Sequence, residues 1–224
     1  MTPRLSLLAE PAASWQMRYG ERYVLEGVLC DLRPELAIEV GTARGGSLRR
    51  IAAHAREVHS FDVDPGVAAV VAALPNATAH IGDSRETLPA FLAGAERDGR
   101  NVDFALVDGD HSSDGVRRDV EAVLASGACG RTVLMLHDTA NEDVRRGLEE
   151  LDLPSHPKVD LCLLDFFAGR LVVRDHVYSR QCWNGLGLVV LDAAREPGPP
   201  VVELDHEDVP LTLRLARDAL AATD

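Results

Sequence analysis

Short apolar runs alternate with amphipathic segments along most of the chain, and this alternation restricts the fold more than any other feature. Runs of this kind, without alternating polar residues, are typical of parallel strands that helices cover on both faces. Strands are predicted at residues 36–40, 57–62, 77–81, 102–108 and 132–137. The pattern therefore predicts an α/β fold with a Rossmann-like, doubly wound sheet.

The rhythm changes after Pro154 and Pro157. Two further apolar runs, at 159–165 and 186–191, are joined by a long connection that has no obvious crossover helix. Parallel neighbours need such a crossover, so an antiparallel hairpin at the edge of the sheet is favoured. We therefore expect a mostly parallel sheet of seven strands.

The length of 224 residues and the apolar content of 46% fit one globular domain with a substantial core. We expect an N-terminal helical cap at 1–33, a core at 34–192 and a C-terminal tail at 193–224. The cap contains a helix predicted at 21–32 and the tail contains one predicted at 211–222.

The formal net charge of -13 disfavours nucleic acids and anionic membranes as partners, because binding their phosphates needs a basic surface. A small-molecule substrate fits better, and a homo-oligomer is compatible with these features. The apolar stretch near the N-terminus is broken by Glu10 and Pro11 and is too short for a signal sequence. No window of the sequence approaches a transmembrane span. We expect a cytoplasmic protein whose four scattered cysteines are core or incidental thiols.

A glycine-rich turn, residues 39–47 (EVGTARGGS), follows the first predicted strand. Glycine lets the backbone approach a ligand closely, and the N-terminus of the next helix favours an anionic group such as a carboxylate. That helix is expected to begin near Ser47, whose hydroxyl can cap its first turn. The spacing departs from G-x-G-x-x-G, so the dinucleotide-binding fingerprint is not met.

Acidic residues end the next two predicted strands. Asp62 lies where doubly wound folds place the carboxylate that receives ribose hydroxyls. Asp83 and Ser84 follow the third strand and suit hydrogen bonding to an adenine amino group. Open α/β sheets bind ligands at these carboxyl ends of strands. The alternative is that Asp62 and Asp83 cap the helices that follow them.

The stretches IEVGTARGGS, HSFDVD, IGDS, DFALVDGDH and LMLHDT, between residues 36 and 140, together resemble the class I methyltransferases that use S-adenosylmethionine (SAM). By this resemblance the glycine turn would line the methionine part of SAM, Asp62 would hold the ribose, and Asp83 and Ser84 would approach the adenine. The cofactor-binding set that the resemblance implies is Glu39, Gly41, Thr42, Gly45, Ser47, Asp62, Asp83, Ser84 and Asp108.

Ionisable residues crowd the ends of the fourth and fifth strands, at 108–111 (DGDH) and 137–139 (HDT). Three carboxylates and two histidines at neighbouring strand ends are costly to place together without a counter-charge. A divalent cation is the economical explanation. Oxygen ligands with one imidazole suit Mg²⁺ or Mn²⁺ better than structural zinc.

This arrangement is similar to that of metal-dependent O-methyltransferases, and the D-x-x-H spacing to that of the sugar O-methyltransferases of macrolide biosynthesis. The related cephalosporin-hydroxylase-like group shares the GGS turn. The resemblance implies that Asp108 and Asp138 bind the metal and that His111 is the general base. His137 stands where the family usually has a carboxylate. It is counted as a third metal ligand, with substrate binding or loss of the metal as the alternatives.

Several local alternatives remain for these residues. Asp110 is an alternative base or metal ligand. Asp110 or His111 could instead cap the next helix, and Asp138 could cap the helix expected from Asn141.

Aromatic residues allow two interpretations at each end of the chain. Trp15, Tyr19 and Tyr23 resemble an N-terminal lid, but core packing or a dimer contact is equally compatible. Trp183 lies before the last predicted strand, where it would either line an acceptor pocket or pack in the core.

The sequence thus predicts a SAM-dependent, metal-assisted O-methyltransferase that acts on a hydroxyl of a small molecule, with a sugar or glycosylated natural product favoured. A metal-independent N- or O-methyltransferase is the first alternative. A nucleotide-binding Rossmann oxidoreductase and a SAM-binding protein without catalysis are the others.

Overall fold

Five parallel strands form the core of the sheet. The computed structural model describes residues 15–173, 177–202 and 209–221. The strands are β1 (Leu36–Val40), β2 (Glu57–Asp62), β3 (Ala77–Ile81), β4 (Phe104–Val107) and β5 (Arg131–His137). The first three agree with the predicted bounds residue for residue, β4 is shorter than predicted, and β5 begins one residue earlier.

Seven helices are described, and six of them surround these strands or precede them. They are α1 (Tyr19–Leu32), α2 (Gly46–His54), α3 (Val67–Val71), α4 (Ser84–Arg97), α5 (Ser113–Ala125), α6 (Glu142–Glu149) and α7 (Val209–Ala221). Within the described ranges, none of these helices is long and apolar enough to cross a membrane. The first 14 residues, where the absence of a signal sequence was expected, lie outside the described part of the chain.

The C-terminal part adds three strands to one side of the sheet. They are β6 (Val159–Phe167), β9 (Leu186–Asp192) and β10 (Val201–Val202), while β7 (Arg170–Leu171) and β8 (Cys182–Trp183) form a separate small sheet. Of the three, β9 is antiparallel to its neighbours and β10 is parallel to β6. The strand order is β10-β6-β9-β5-β4-β1-β2-β3. Because β9 runs antiparallel to both β5 and β6, the predicted hairpin is confirmed. The main sheet has eight strands rather than seven, because the two-residue β10 pairs with β6.

The core lies on both faces of the sheet, which explains the continuous apolar runs. All five residues of β1 are buried. Ala37 belongs to the apolar cluster that includes residues of α1, α2 and α3, whereas Ile38 belongs to the cluster with α4, α5 and α6. The helix before β3 therefore covers one face of the sheet, and the helix between β3 and β4 covers the other. β1 lies between β2 and β4 and pairs with both. Doubly wound sheets bind ligands at such a point, where the order of strands changes direction.

The start of α2 differs from the prediction. The residue before the helix is Gly45, which has a left-handed φ of 71° and no side-chain capping bond. Ser47 is the second helical residue and is buried, so the prediction that its hydroxyl caps α2 was wrong. Glycine turns the chain into this helix directly, because it adopts positive φ without a Cβ clash.

Candidate active site

A cleft of about 530 Å³ opens at the carboxyl ends of β1 to β4. Its walls contain Asp110, the alternative base, and six more of the predicted cofactor or catalytic positions. These six are Gly41, Asp62, Asp83, Ser84, Asp108 and His111. The structure therefore brings together side chains that are up to 70 positions apart in the sequence, as the order of strands requires.

The turn between β1 and α2 is fixed by the carboxylate of Asp62. Its Oδ2 accepts the backbone N–H groups of Thr42 (2.9 Å) and Ala43 (3.0 Å), and its Oδ1 accepts that of Asp64. Asp62 does not cap α3, which begins after Gly66. It thus orders the glycine turn and at the same time lines the cleft.

Gly41 allows the turn to pass close to the end of β4. Its φ is +84°, and a Cβ at this position would lie 2.1 Å from the backbone carbonyl oxygen of Asp108. Both the backbone conformation and the space exclude a larger residue. Gly41 therefore permits the close approach of β1 and β4 that forms the floor of the cleft.

Glu39, on β1 just before this turn, is a buried carboxylate without a hydrogen-bond partner. Its exposure is 0%, and neither side-chain oxygen has a partner among the described residues. Burial raises the pKa of Glu39 to about 8, against the opposite effect of the Ser47 and Thr42 hydroxyls. Such a group is costly to maintain. It fits a ligand that brings a cationic group, such as an ammonium, to this end of the turn.

Asp83 and Ser84 differ in what they leave available to a ligand. Asp83 caps α4 by accepting the backbone N–H of Arg85 at 2.9 Å, and both of its oxygens bind the Arg85 guanidinium. The Arg85 side chain accordingly lowers the pKa of Asp83. The capping alternative is thus observed for Asp83, whereas Ser84 lines the cleft as the first residue of α4.

The ends of β4 and β5 form a compact ionisable cluster. The Nδ1 of His137 lies 2.8 Å from Oδ1 of Asp108 and 3.3 Å from Oδ2 of Asp138. The Nε2 of His111 lies 3.0 Å from Oδ2 of Asp138 and 3.5 Å from Oδ1 of Asp108, without the alignment of a hydrogen bond. The three predicted metal ligands and the predicted base are therefore neighbours in space.

The carboxylates of this cluster raise the pKa values of both of its histidines. Asp108, and then Asp138, raise the pKa of His111 to about 9, although burial opposes the shift. Burial also acts to lower the pKa of His137, but Asp108 and Asp138 outweigh it and raise that pKa well above its usual value. Protonated imidazoles can thus balance the carboxylates, which is one solution to the crowding of charge.

The same atoms also fit a divalent cation. Asp108, His137 and Asp138 each offer one ligand atom, and these atoms lie within 4.8 Å of one another. The Nε2 of His111 lies beside these atoms, and it is buried and makes no aligned hydrogen bond. Carboxylate oxygens with imidazole nitrogens are a usual donor set for divalent transition metals, and the oxygens suit Mg²⁺.

A carboxylate from α1 supports the cluster, and the sequence reasoning missed it. Glu21 is fully buried, and one of its oxygens lies 3.3 Å from Nε2 of His137. It also accepts the backbone N–H of Gly185 at 2.9 Å and the side-chain amide of Asn184 at 3.2 Å. Asp138 accepts the backbone N–H of Asn184. The only sequence signal for this role was a charged residue within the apolar pattern of α1.

Asp110 and His111 have different surroundings, and neither of them is a helix cap. Ser112 caps α5 and Asn141 caps α6, so none of Asp110, His111 and Asp138 is a helix cap. Asp110 is exposed and accepts the backbone N–H of Ser112 at 2.9 Å. His111 instead turns toward the carboxylates of Asp108 and Asp138, which gives it the better geometry for proton transfer.

A second cavity of about 330 Å³ adjoins the cleft at His111. His111 lines both cavities. The ring of Trp183 meets His111 edge to face at 5.5 Å, and Tyr178 lies 5.0 Å from Trp183. The remaining walls come from the start of α6, from Gln181 and Cys182, and from Arg217 of α7.

Of the N-terminal aromatic residues, Trp15 lies beside the glycine turn, where it lines a small cavity with Gly41, Ser47 and Asp108. Trp15 is buried, and the guanidinium of Arg22 lies 4.7 Å from its ring centroid. Tyr19 and Tyr23 are exposed. Trp15 therefore packs in the core, while its neighbour Gln16 reaches the wall of the cleft.

Comparison with known families agrees with this geometry. A family model described as a methyltransferase domain matches residues 38–139, from β1 to the end of β5. This part of the chain is therefore similar to a methyltransferase domain. A search of curated proteins finds no match to the sequence.

Solved structures share the fold of this chain at low sequence identity. An O-methyltransferase from Bacillus cereus in complex with SAH (S-adenosylhomocysteine) has a TM-score of 0.60 and 15% identity, over 85% of this chain and 92% of that chain. TomG from Streptomyces achromogenes, an O-methyltransferase involved in tomaymycin synthesis and bound to SAM, has a TM-score of 0.58 and 14% identity, over 85% and 91%. The predicted class I methyltransferase fold is therefore confirmed.

Proposed function

We propose that this methyltransferase is SAM-dependent and transfers the methyl group to a hydroxyl of a small molecule, with a sugar or glycosylated natural product as the favoured acceptor. One observation carries the proposal. His111 lies at the junction of the cleft that fits the cofactor and a second cavity beside it. A group that faces both cavities is placed to take a proton from an acceptor as the methyl group arrives.

The cofactor would lie along the carboxyl ends of β1, β2 and β3. SAM supplies an electrophilic methyl group on a sulfonium. The buried carboxylate of Glu39 would pair with the amino group of its methionine part, and Asp62 would receive the ribose hydroxyls. Ser84, which lines the cleft, would contact the base. Two solved structures of the same fold support this placement, because one of them contains SAH and the other contains SAM.

His111 is proposed as the general base, in preference to Asp110. The pKa of about 9 means that His111 holds a proton at neutral pH when only the carboxylates surround it. A cation bound nearby disfavours the imidazolium and lowers that pKa. The neutral Nε2 could then accept the proton of the acceptor hydroxyl, while Asp108 and Asp138 hold the ring in place.

We further propose Mg²⁺ or Mn²⁺ as the cation, held by Asp108, His137 and Asp138. Its chemistry would be to lower the pKa of the acceptor hydroxyl and to neutralise charge. The metal-independent alternative has support of its own. Glu21 approaches Nε2 of His137, while Nδ1 is hydrogen-bonded to Asp108, so a protonated His137 can be the counter-charge of these carboxylates without a metal.

The second cavity is proposed to hold the acceptor. Trp183 offers an aromatic surface, and polar side chains of Asn141, Glu142 and Gln181 line the cavity beside it. Aromatic faces bordered by hydrogen-bonding groups suit ligands that have both apolar faces and hydroxyl groups. A sugar ring combines these properties, and the net charge of -13 favours a neutral acceptor over an anionic one.

The test is methyl transfer from SAM to a panel of glycosides and phenols, with mass spectrometry of the products and of SAH. We expect His111→Gln to reduce turnover by roughly 10²–10⁴-fold, the usual contribution of a positioned base, with SAH affinity little changed. His156→Gln is the matched control. His156 precedes β6, which runs parallel to β5, so it lies at the amino ends of these strands and not at the carboxyl ends that form the cleft. A folded protein that binds neither SAM nor SAH would overturn the proposal. A larger loss in Asp110→Asn than in His111→Gln would assign the base to Asp110.

A further inference from the structure

A group of three metal-ligating side chains lies between α1 and α2, outside the walls of the cleft. Glu26 and Cys30 are four residues apart on α1 and therefore share one face of that helix. His54 is the last residue of α2, and its Nε2 lies 3.1 Å from Oε1 of Glu26. A carboxylate oxygen, a thiol sulfur and an imidazole nitrogen of these residues all lie within 4.8 Å of one another. The proposed methyl transfer uses none of the three.

The two helices hold these side chains on a packed framework. They share one apolar cluster, in which four of their side chains are fully buried: Leu25, Leu29, Leu48 and Ile51. Glu26 and His54 are half-buried and Cys30 is exposed, so the group lies at the edge of the helix contact. Side chains on packed helices hold their positions more precisely than side chains on loops.

The charges at this place favour a divalent cation. Cys30 lies in the last turn of α1 and His54 in the last turn of α2. The C-terminal end of a helix carries a partial negative charge, which attracts cations. A thiolate and a carboxylate together balance the two charges of a divalent ion. The other oxygen of Glu26, Oε2, accepts no hydrogen bond from the described residues, and Arg50 lies 3.8 Å from it, which leaves Oε1 to the ion.

We propose that Glu26, Cys30 and His54 form a zinc site that connects α1 to α2. Zn²⁺ binds thiolate, imidazole and carboxylate ligands tetrahedrally at about 2.0–2.3 Å, which places neighbouring ligand atoms about 3.5 Å apart. Small side-chain rotations bring the three atoms to this spacing. The thiolate favours Zn²⁺ over Mg²⁺. Cys30 loses its proton to the solvent when the ion binds, and water can complete the fourth position because Cys30 is exposed.

The ion would have a structural role, since it would fix two helices that reach the active site. α2 begins at the glycine turn, and His54 lies roughly 12 Å along the helix from that turn. α1 carries Glu21, one oxygen of which lies 3.3 Å from Nε2 of His137. A connection between α1 and α2 would therefore hold Glu21 in a fixed position relative to the glycine turn. The zinc site itself does not depend on the proposed methyl transfer.

Titration of the protein with Co²⁺ tests the site, because a thiolate bound to Co²⁺ gives a charge-transfer absorption band in the near ultraviolet. Cys30 is the only exposed residue among the four cysteines, so the band reports on this site. We expect the wild type to show the band with a sharp end point. Zn²⁺ should displace Co²⁺ and remove the band, whereas excess Mg²⁺ should leave it unchanged.

Substitution of each ligand should weaken the site. Cys30→Ser should abolish the band. Glu26→Gln and His54→Gln should each reduce Zn²⁺ affinity at least tenfold, since even the residues behind metal ligands contribute about 10- to 100-fold. Asp31→Asn is the matched control, because it removes an exposed carboxylate next to Cys30 that is not one of the three ligands. It should keep the band and the wild-type affinity.

Asp138→Asn separates this site from the ionisable cluster at the ends of β4 and β5. It should keep the Co²⁺ band, and Zn²⁺ should raise its melting temperature. Adding Cys30→Ser to Asp138→Asn should remove this rise. A wild-type protein without the band would overturn the zinc site, as would a Zn²⁺ affinity of Asp138→Asn that Cys30→Ser does not change. A protein that binds Zn²⁺ here but transfers no methyl group would overturn the proposed function alone.

Discussion

Glu39 is the residue whose charge should respond most directly to the cofactor. Burial raises its pKa to about 8, so the free protein holds this carboxyl largely protonated at about pH 7. An ammonium group beside it favours the ionised form. We therefore predict that SAH binding at about pH 7 releases close to one proton, and that the release fades as the pH rises above 8.

Calorimetry in buffers of different ionisation enthalpy measures this release, since the apparent binding enthalpy then depends on the buffer. Glu39→Gln should bind SAH more weakly and show no dependence on the buffer. A wild-type binding enthalpy that is the same in phosphate and in Tris would contradict the pairing of Glu39 with the cofactor.

Asp119 gives a second residue-scale prediction, on stability. Burial raises its pKa from 3.8 to about 6, so the folded protein binds the proton more tightly than the unfolded chain does. The cost of ionising it is therefore absent below about pH 4, grows as the pH rises toward 6, and is complete above that. Asp119→Asn should be more stable than the wild type by at most about 3 kcal/mol at pH 7.5, and equal to it near pH 4.

Urea denaturation at the two pH values measures this difference. An Asp119→Asn variant that is less stable than the wild type at pH 7.5 would show that the carboxylate is favourably paired instead.

The residues at strand ends were predictable from sequence because topology alone brings them together. Asp108 and Asp138 each follow an apolar run, and adjacent parallel strands end on the same side of the sheet. Glu21 was not predictable, since its contact with His137 depends on how α1 packs against the sheet. Asp83 is predicted to contact the adenine and lines the cleft, and its oxygens also accept the capping bond and the Arg85 guanidinium. Local propensity and ligand binding favour the same residue type there.

Entire strands and helices also differ in how well the sequence predicts them. β1, β2 and β3 were predicted residue for residue, because a glycine or an aspartate marks the point where each strand ends. The two-residue strands β7, β8 and β10 leave none, since their pairing is decided by the chain that folds over them. The start of α2 was misplaced by one or two residues. A left-handed glycine can begin a helix without a capping side chain.

The turn between β1 and α2 gives a prediction at the scale of elements. We expect Gly41→Val to reduce SAH affinity by at least tenfold and to lower the free energy of unfolding by about 1–3 kcal/mol, because φ is strained for any residue with a Cβ. The new Cβ would also overlap the backbone of Asp108, which must then move away from β1. Calorimetry and urea denaturation measure the two effects.

Gly27→Ala is the control for this substitution, since Gly27 lies in α1 and a Cβ there would meet nothing within 4 Å. It should leave SAH affinity unchanged and raise stability by roughly 0.5–1 kcal/mol, the usual gain of alanine over glycine in a helix. Unchanged SAH affinity in Gly41→Val would show that the cofactor does not lie against this turn.

At the scale of the whole molecule, the site is assembled from distant parts of the chain. The sheet brings Asp108 and His137 together through β4 and β5, and α1 adds Glu21. The antiparallel strand β9 returns the chain beside β5, which places Asn184 against Asp138. The last described helix, α7, reaches back through an ion pair of Arg217 with Glu142 at the acceptor cavity. The first and the last described helices thus contribute side chains to the ionisable cluster and to the second cavity.

The charge balance of this assembled cluster gives the last prediction. If Mg²⁺ or Mn²⁺ is bound, it must replace the proton of His137, whose pKa Asp108 and Asp138 raise well above its usual value. Metal affinity should therefore rise with pH between about 6 and 8, with release of protons on binding. Exhaustive chelation should abolish methyl transfer, and either ion should restore it. Added metal at 100 times its Kd should stabilise the protein by about 2.7 kcal/mol. Asp138→Asn should lose this stabilisation, whereas Asp165→Asn, whose carboxylate pairs with Arg145 away from the cluster, should retain it.

Full turnover in chelator, with no thermal shift on adding Mn²⁺, would establish the metal-independent alternative. The protonated imidazoles of His111 and His137 would then be the counter-charge that Asp108 and Asp138 require, and His111 could accept the acceptor's proton only after losing its own.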